Sequence, residues 1–161
     1  MTKTTDLCDA HPELVRVCDP IFRSYGARVV FDGPIATLKL HEDNALVRKA
    51  LEEPGAGRVL VVDGGGSMRR ALVGDQLAAL GAKNGWSGVV VYGCIRDSAD
   101  IATIELGVVA LGTHPRKSDK RGVGVVNEPV TFAGVTFVPG QHVWVDHDGV
   151  VVTERRVEVT G

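Results

Sequence analysis

The sequence predicts a mixed α/β fold whose last third is rich in strands. Residues 58–63 and 89–95 contain continuous apolar runs, which are typical of strands buried on both faces of a parallel sheet. A segment with helical spacing, residues 76–84, lies between them and is bounded by glycines. This succession of strand, glycine turn, helix and strand predicts right-handed crossover connections. Short apolar segments separated by turn residues follow position 125 and predict the strand-rich end.

The other elements are predicted from local signals. Thr5 or Asp6 can cap a short helix that runs through Cys8, and residues 11–16 can begin a second helical turn. Residues 26–40 predict two strands, because an Asp-Gly-Pro turn interrupts their apolar pattern. The remaining predictions are helices at 45–53 and 98–105, the latter capped by Ser98, and strands at 107–112, 125–130, 135–138, 142–146 and 149–152.

Length and composition predict a single domain that spans residues 1–161. Hydrophobic residues make up 44% of the chain and charged residues 24%, which is ordinary for a globular protein. The net charge is −2, so the chain lacks the basic excess with which proteins neutralise phosphates. We therefore expect no direct binding to nucleic acid.

The cysteines and the N-terminus predict a cytoplasmic protein. The three cysteines are odd in number and lack C-x-x-C spacing, which favours free thiols in a reducing compartment. The first residues are polar and have no signal-peptide pattern. No apolar run reaches the length of a membrane span, so we expect no membrane association.

Three polar motifs each have two interpretations. The glycine-rich turn at 63–67 follows a strand and suits a phosphate or a methyl donor, but it lacks G-x-G-x-x-G spacing, which favours close backbone packing. Residues 41–43 form either a metal cluster or, as we favour, a solvated, negatively charged helix start. The basic segment 113–122 is either an exposed flexible loop or an anion-attracting lid or subunit contact, and His114 and Lys117 are candidates for a loop by which a neighbouring subunit closes the cleft.

The most informative spacing joins Asp75 to Arg96 and Asp97, with twenty residues between Asp75 and Arg96. A helix followed by a strand of this total length brings the helix start and the end of the strand to one edge of a sheet. A helix start offers free N–H groups and a positive partial charge, and an adjacent Arg and Asp offer an anion clamp and a metal ligand. The spacing is compatible with a carboxylate site beside a divalent metal. Taken alone, the spacing fits two simpler interpretations better than it fits such a site. Asp75 would be a helix cap, and Arg96 and Asp97 would form a surface ion pair.

Several longer segments match the pattern of a known family. They are DNAL at 43–46, GRVLVVDGGGS at 57–67, GTHPRKS at 112–118 and VTFVPG at 135–140, together with Asp75-x20-Arg96-Asp97. Over nearly its whole length the chain resembles the regulator of ribonuclease E activity A family, which also contains the class II 4-hydroxy-4-methyl-2-oxoglutarate aldolases. Family members studied as ribonuclease regulators can lack the second Asp of this pattern. Asp97 therefore favours the aldolase branch.

The resemblance implies a β/β/α swivelling-domain-like fold, a homotrimer and active sites near subunit boundaries. It implies a divalent-metal-dependent enzyme that cleaves 4-hydroxy-4-methyl-2-oxoglutarate and related 4-hydroxy-2-oxo acids to pyruvate. Decarboxylation of oxaloacetate would be a side activity, because both reactions pass through a pyruvate enolate. The cation would be Mg²⁺ or Mn²⁺, held by Asp97 and water.

The same resemblance assigns roles to the residues of the Asp75-x20-Arg96-Asp97 pattern and its surroundings. Asp75 and Arg96 would be the catalytic residues. Arg96 would bridge the substrate carboxylate and the keto oxygen, and Asp75 would orient the water that removes the 4-hydroxyl proton. The N–H groups of the helix start would bind the pyruvyl carboxylate, at Gly74, Asp75, Gln76 and Leu77.

Two other functions compete with the aldolase. The chain can be a non-catalytic regulator that binds and inhibits ribonuclease E, since its near-neutral charge permits contact with a protein. Methyl transfer is the weaker alternative, because only the glycine-rich turn at 63–66 suggests it.

Overall fold

In a computed structural model, which describes residues 1–159, a mainly parallel sheet has helices on one face and a second β layer on the other. The mixed α/β class and the strand-rich C-terminal third are therefore confirmed. The helices are α1 (Thr4–Ala10), α2 (Ala45–Leu51), α3 (Asp75–Lys83) and α4 (Ser98–Ile101). The strands are β1 (Arg16–Val17), β2 (Arg23–Ser24), β3 (Phe31–Lys39), β4 (Val59–Asp63), β5 (Ala71–Val73), β6 (Gly88–Ile95), β7 (Gly107–Thr113), β8 (Val125–Val126), β9 (Val130–Phe132), β10 (Val135–Phe137), β11 (His142–Asp146) and β12 (Gly149–Thr153).

The parallel part of the sheet has the order β3-β4-β6-β7, and one helix lies in each connection. Strand β5 adds to the carboxyl end of β6, also in parallel, and leads directly into α3. Because parallel strands point the same way, their carboxyl ends meet at one edge of the sheet. The start of α3 and the end of β6 are thereby brought to the same edge, as the spacing predicts.

Strand β4 shows why residues 59–62 form an apolar run. Leu60 and Val62 pack with the helices, whereas Val59 and Val61 pack with the second β layer. Since successive side chains of a strand point to opposite faces, a strand covered on both faces favours apolar residues at consecutive positions. All five residues of β4 are buried, and its polar last residue, Asp63, accepts the Gly65 N–H.

The prediction of two strands within residues 26–40 is wrong, because Phe31–Lys39 is one continuous strand. Its first half pairs antiparallel with β11, and from Ile35 onward it pairs parallel with β4. A Cβ at Gly33 would lie 2.2 Å from the carbonyl oxygen of Gly57. The glycine therefore allows a close backbone approach where β3 passes from one sheet to the other, and it does not form a turn.

The turn predicted from His11 is present, since the Val15 N–H donates to the His11 carbonyl at 3.2 Å, but three smaller predictions differ from the structure. The predicted strand 125–130 is divided into β8 and β9. The helix predicted at 98–105 is a single turn that is preceded by Asp97, so Ser98 is not its cap. Helix α1 begins after Lys3, and the N–H and hydroxyl groups of Thr4 donate to Asp146, each at 2.8 Å. A side chain distant in sequence thus satisfies the helix start that Thr5 or Asp6 was expected to cap.

No helix within residues 1–159 combines the length and apolar character that crossing a membrane requires.

Candidate functional site

A cavity of about 360 Å³ opens at the carboxyl edge of the sheet, between the starts of α2 and α3 and the end of β6. All six residues predicted for the site lie on its wall. They are Gly74, Asp75, Gln76, Leu77, Arg96 and Asp97. The cavity is also lined by Asn44, Ala45, Arg48, Ala71, Lys117 and Lys120.

The start of α3 is connected to the end of β6 by a carboxylate. Gly74 is the N-cap, and the N–H of Asp75 donates to Asp97 Oδ2 at 3.2 Å. The N–H of Gln76 donates to Asp75 Oδ1 at 2.9 Å. Two of the N–H groups predicted to bind a substrate carboxylate therefore already donate to protein carboxylates. The same geometry shows that a helix start at this position attracts negative oxygen atoms.

Asp97 adopts an unusual backbone conformation. Its φ and ψ angles are 56° and 41°, in the left-handed region, where Asp and Asn are enriched among non-glycine residues. The preceding residue is fixed by a 2.9 Å hydrogen bond from the Arg96 N–H to the Val73 carbonyl. Since α4 begins immediately afterwards, this one residue turns the chain from strand to helix. The Asp97 carboxylate lies on the cavity wall on an exposed residue.

The ion-pair interpretation of the spacing does not describe this arrangement. Within residues 1–159, the ion pairs within 4.0 Å do not include one between Arg96 and Asp97. Gly74 holds the N-cap position of α3, but Asp75 Oδ1 accepts the Gln76 N–H, so the Asp75 carboxylate does contribute to the helix start. Both carboxylates and Arg96 also border the same cavity.

Basic side chains outnumber acidic ones around the cavity. Arg48, Arg96, Lys117 and Lys120 line it, against the carboxylates of Asp75 and Asp97. This excess favours an anionic ligand with more than one negative charge. Sequence reasoning named Lys117 only for cleft closure and missed Asn44, Arg48 and Lys120. The signal available for Arg48 was its position one helical turn after Asn44, which places both on the same side of α2.

Hydrogen bonds to β5 hold the beginning of the basic segment beside the cavity. The Ala71 N–H donates to the Arg116 carbonyl at 2.7 Å, and the Ser118 hydroxyl donates to the Ala71 carbonyl, also at 2.7 Å. Lys117 lies between these two contacts. His114 has a different surrounding, because its Nδ1 accepts the Arg116 N–H at 3.1 Å. Lys117 lines the cavity of its own subunit and His114 does not. Closure of the cleft by either residue from a neighbouring subunit stays a prediction.

The glycine-rich turn after β4 is closed by internal hydrogen bonds. The N–H groups of Gly64 and Gly66 both donate to the Tyr92 carbonyl, and that of Gly65 donates to Asp63. A Cβ at Gly64 would lie 2.5 Å from Leu72 Cδ1. These donors are not directed at a ligand, so the geometry favours the interpretation of close backbone packing.

The residues preceding α2 are also engaged within the protein. Glu42 accepts hydrogen bonds from the Ser67 hydroxyl at 2.7 Å and from Arg69 Nε at 3.1 Å. The Ser67 hydrogen bond and then Arg69 hold the pKa of Glu42 below its ordinary value, although partial desolvation opposes them. Asp43 accepts four backbone N–H groups. The expectation of a solvated helix start is therefore wrong for Asp43, which is buried because backbone N–H groups surround its carboxylate. The arrangement describes a set of structural anchors better than a metal cluster.

The buried thiols are poor nucleophiles. Burial, with the negative charge of Asp19 beside it, raises the pKa of Cys18 to about 12. Burial also raises the pKa of Cys94, whose Sγ lies 3.4 Å from the sulfur of Met68. Because the thiolate is the reactive form, neither residue suits covalent catalysis.

The carboxylates of the cavity fit a hard divalent cation. Asp75 and Asp97 supply oxygen atoms only, and Mg²⁺ is usually bound by one or two carboxylates together with several waters. Within residues 1–159, no group of three or more His, Cys, Asp or Glu side chains converges as a complete metal cage. The residues present therefore fit a cation that retains most of its water. Of the two carboxylates that line the cavity, Asp97 is the more exposed.

Comparison with known proteins gives close relatives across almost the whole chain. A protein of Aromatoleum aromaticum is 65% identical over 94% of this chain and 96% of its own, and one of Ectopseudomonas mendocina is 58% identical over 97% and 96%. Both bear the name "Putative 4-hydroxy-4-methyl-2-oxoglutarate aldolase".

Two solved structures share the fold in detail. One is described as an S-adenosylmethionine:2-dimethylmenaquinone methyltransferase from Geobacillus kaustophilus, with a TM-score of 0.95, 49% identity and 97% coverage of both chains. The other is described as the RNA-processing inhibitor RraA from Thermus thermophilis, with a TM-score of 0.95, 44% identity and coverage of 98% and 96%. The family model described as RraA-like, Aldolase/RraA, matches residues 4–152. The chain therefore belongs to the Aldolase/RraA family.

Proposed function

We propose that this chain is a divalent-metal-dependent aldolase that cleaves 4-hydroxy-4-methyl-2-oxoglutarate and related 4-hydroxy-2-oxo acids to pyruvate. The observation that carries the proposal is the convergence of Arg96, Asp97 and the start of α3 on one cavity with an excess of basic side chains. The names of relatives that are 58–65% identical support the same substrate class.

Asp97 would hold the cation, which is Mg²⁺ or Mn²⁺. A bound divalent cation supplies Lewis-acid stabilisation of the negative charge that develops on the substrate keto oxygen. If the Asp97 carboxylate held a cation, the Asp75 N–H would lose its present acceptor and could donate to the substrate together with the Leu77 N–H. The Gln76 N–H could join them only if its hydrogen bond to Asp75 Oδ1 opened.

The two carboxylates of the substrate would bind at opposite sides of the cavity. The pyruvyl carboxylate would lie at the start of α3, and the planar guanidinium of Arg96 would donate to it and to the adjacent keto oxygen. The distal carboxylate would lie among the remaining basic side chains, which are Arg48, Lys117 and Lys120. A dicarboxylate thereby offsets part of the positive charge of the cavity and its cation.

Carbon–carbon cleavage needs one proton to leave and one to return. A water oriented by Asp75 accepts the proton of the 4-hydroxyl group, and the bond between C3 and C4 then breaks. C4 becomes the keto carbon of the departing 2-oxo acid, while the electron pair of the broken bond forms the enolate of pyruvate. Protonation at C3 completes the second product. Oxaloacetate decarboxylation gives the same enolate by losing carbon dioxide.

The assay that tests this function measures pyruvate release from 4-hydroxy-4-methyl-2-oxoglutarate and from oxaloacetate, with and without Mg²⁺ or Mn²⁺. We expect Asp97→Ala and Arg96→Ala to lower kcat/KM by about 100-fold or more, because each removes stabilisation of developing charge. Asp100→Ala, which removes a carboxylate three residues further on, is the matched control and keeps activity. Absence of metal-dependent pyruvate release by the wild-type protein would refute the proposal.

A second candidate function is protein binding, favoured by the relative described as an RNA-processing inhibitor. On this alternative the chain binds ribonuclease E and inhibits it without catalysis. Pull-down of purified ribonuclease E by the wild-type protein, compared with Asp97→Ala, separates the two functions. Equal binding by both proteins with no aldolase activity in either would favour the regulator.

We also propose that the chain assembles as a homotrimer. Val123, Val125 and Val126 are 66%, 47% and 50% exposed, which leaves an apolar strip along β8 for a neighbouring subunit to cover. Light scattering on the purified protein measures the mass directly, and a monomer near 17.1 kDa would contradict the assembly.

A further inference from the structure

We propose that Asp43 is a positioning residue that holds Lys120 on the cavity wall and thereby sets the affinity for the distal carboxylate of the substrate. This inference rests on the proposed aldolase function. It concerns a residue that lies outside the cavity lining, two positions before the start of α2.

The carboxylate of Asp43 is surrounded by backbone donors. The residue is only 4% exposed, and its Oδ2 accepts the N–H groups of Arg121 at 2.9 Å and Val123 at 3.4 Å. Its Oδ1 accepts those of Gly122 at 3.2 Å and Ala45 at 3.1 Å. Three consecutive N–H groups that converge on one anion form a nest, an arrangement that proteins also use to bind phosphates. We call Asp43 together with residues 121–123 the Asp43 clamp.

The clamp acts on a segment that has little other support. Arg121, Gly122 and Val123 are all exposed, so their own side chains contribute little packing. On the other side of Lys120, Asp119 donates its N–H to the Glu42 carbonyl at 2.9 Å and accepts the Asn44 N–H at 3.0 Å. Lys120 is therefore bracketed by contacts to residues 42–44. Lys117 is held separately, through Ala71.

The negative charge of Asp43 is stable in this setting. Burial alone would raise its pKa, but the four backbone N–H donors outweigh that effect and hold the pKa below its ordinary value. Charge-assisted hydrogen bonds to a carboxylate are stronger than those to a neutral oxygen. An amide at position 43 would direct an NH₂ group at two of the same donors, so Asp43→Asn opens the clamp with almost no change of shape.

The test compares two reactions of the same site. Cleavage of 4-hydroxy-4-methyl-2-oxoglutarate needs the distal carboxylate to bind, whereas exchange of the methyl protons of pyruvate in D₂O needs only the enolate. We expect Asp43→Asn to raise KM for the dicarboxylate about 10-fold and to leave kcat and pyruvate exchange within about two-fold of wild type. Asp119→Asn is the matched control, since the contacts of Asp119 to residues 42 and 44 are made by its backbone and the variant weakens only an exposed side-chain ion pair with Arg121, at 3.8 Å.

A double-mutant cycle tests whether the effect passes through Lys120. Lys120→Ala alone should raise KM by a similar factor, and the double variant should show no larger rise than either single variant. Additive rises, or an equal loss of pyruvate exchange in Asp43→Asn, would overturn the inference. If the wild-type protein catalyses neither reaction, the proposed function fails and the clamp is judged by hydrogen exchange alone.

Hydrogen exchange examines the clamp without any assay of activity. The amides of residues 121–123 should exchange slowly in the wild-type protein and faster in Asp43→Asn, a difference that burial of Val123 in the proposed trimer would not produce. Free exchange of all three amides in the wild-type protein would refute the clamp. If Asp43→Asn does not fold, Arg121→Pro removes one donor and leaves the carboxylate in place. It should produce the same selective rise in KM, and an unchanged KM would count against the inference.

Discussion

Gly74 is a glycine because of its neighbours. Its φ and ψ angles of −117° and −170° are extended and open to any residue. A Cβ at this position would, however, lie 2.8 Å from Asp97 Oδ2 and 3.5 Å from Arg96 Nε. Because Gly74 has no side chain, the Asp97 carboxylate and the Arg96 side chain can occupy the space beside its Cα.

Gly74→Ala should accordingly damage the site and spare the fold. We expect kcat/KM to fall about 10-fold or more, because the methyl group displaces the Asp97 carboxylate, and we expect Mn²⁺ to bind more weakly by titration calorimetry. Gly112→Ala is the control, since its Cβ would meet only the flexible end of Met68, at 3.0 Å. A Gly74→Ala variant with normal activity and normal Mn²⁺ affinity would show that the close approach has no functional role.

At the scale of elements, α1 is stabilised independently of the cavity. Leu7 is fully buried with Trp144 and Val151 in a small cluster on β11 and β12, separate from the two larger clusters that cover the parallel sheet. The contact of Thr4 with Asp146 fixes the start of the helix. None of the residues that line the cavity of the candidate site belongs to α1.

Leu7→Ala should therefore separate stability from activity. Removal of a buried leucine side chain costs about 2–5 kcal/mol, and we expect the free energy of unfolding in urea to fall by that amount. The kcat/KM of the folded variant should remain within about two-fold of wild type. Leu14→Ala, at a residue that is 38% exposed, should have a much smaller effect on stability. A loss of activity in folded Leu7→Ala would reveal coupling between α1 and the site.

The elements also show where sequence reasoning succeeds. Strands β4 and β6 and helix α3 were predictable because each is long enough to display a complete apolar or helical pattern. Strand β3 was predicted as two strands because Gly33 and Pro34 normally signal a turn, and a single sequence does not reveal which backbone approaches the glycine. Lys120 was missed for a related reason, since it reaches the cavity through contacts between residues about 80 positions apart, such as Arg121 and Asp43.

At the scale of the whole molecule, buried or half-buried carboxylates join distant parts of the chain. The 2.6 Å hydrogen bond with His142 is the main reason that the pKa of Asp32 is below its ordinary value. Burial would raise the pKa of Asp146, but the N–H and hydroxyl of Thr4 outweigh it and lower that pKa. With Asp43, these residues connect β3 to β11, α1 to β11 and α2 to the basic segment.

These lowered pKa values predict a loss of stability in acid. A carboxyl group whose pKa is lower in the folded state binds fewer protons there than in the unfolded state, so its contribution is complete above the ordinary value of 3.8. The contribution disappears as the pH falls below 3.8 through the folded-state pKa. The lowered pKa values should therefore leave the Tm almost unchanged between pH 7 and pH 5. Once the pH is below 3.8, the Tm should decrease.

Asp146→Asn makes this prediction specific to one group. At pH 7 we expect its Tm to be about 2–4 °C below that of wild type, because a charge-assisted contact with Thr4 is weakened. The difference should shrink as the pH falls below 3.8, when the wild-type carboxyl is also neutral. Thermal unfolding followed by circular dichroism from pH 7 to pH 2.5 measures both, and a constant difference would contradict the assignment.

The left-handed backbone at Asp97 has a consequence for how such proteins can diverge. Asn and Gly are the other residues that accept this conformation readily, and codons for Asn and Gly lie one base change from those for Asp. A single nucleotide substitution can therefore remove the carboxylate that we propose to hold the cation, while the turn from β6 to α4 keeps its shape. The scaffold can lose its chemistry without losing its surface, which provides a short evolutionary route from an enzyme to a relative that acts only by binding a partner.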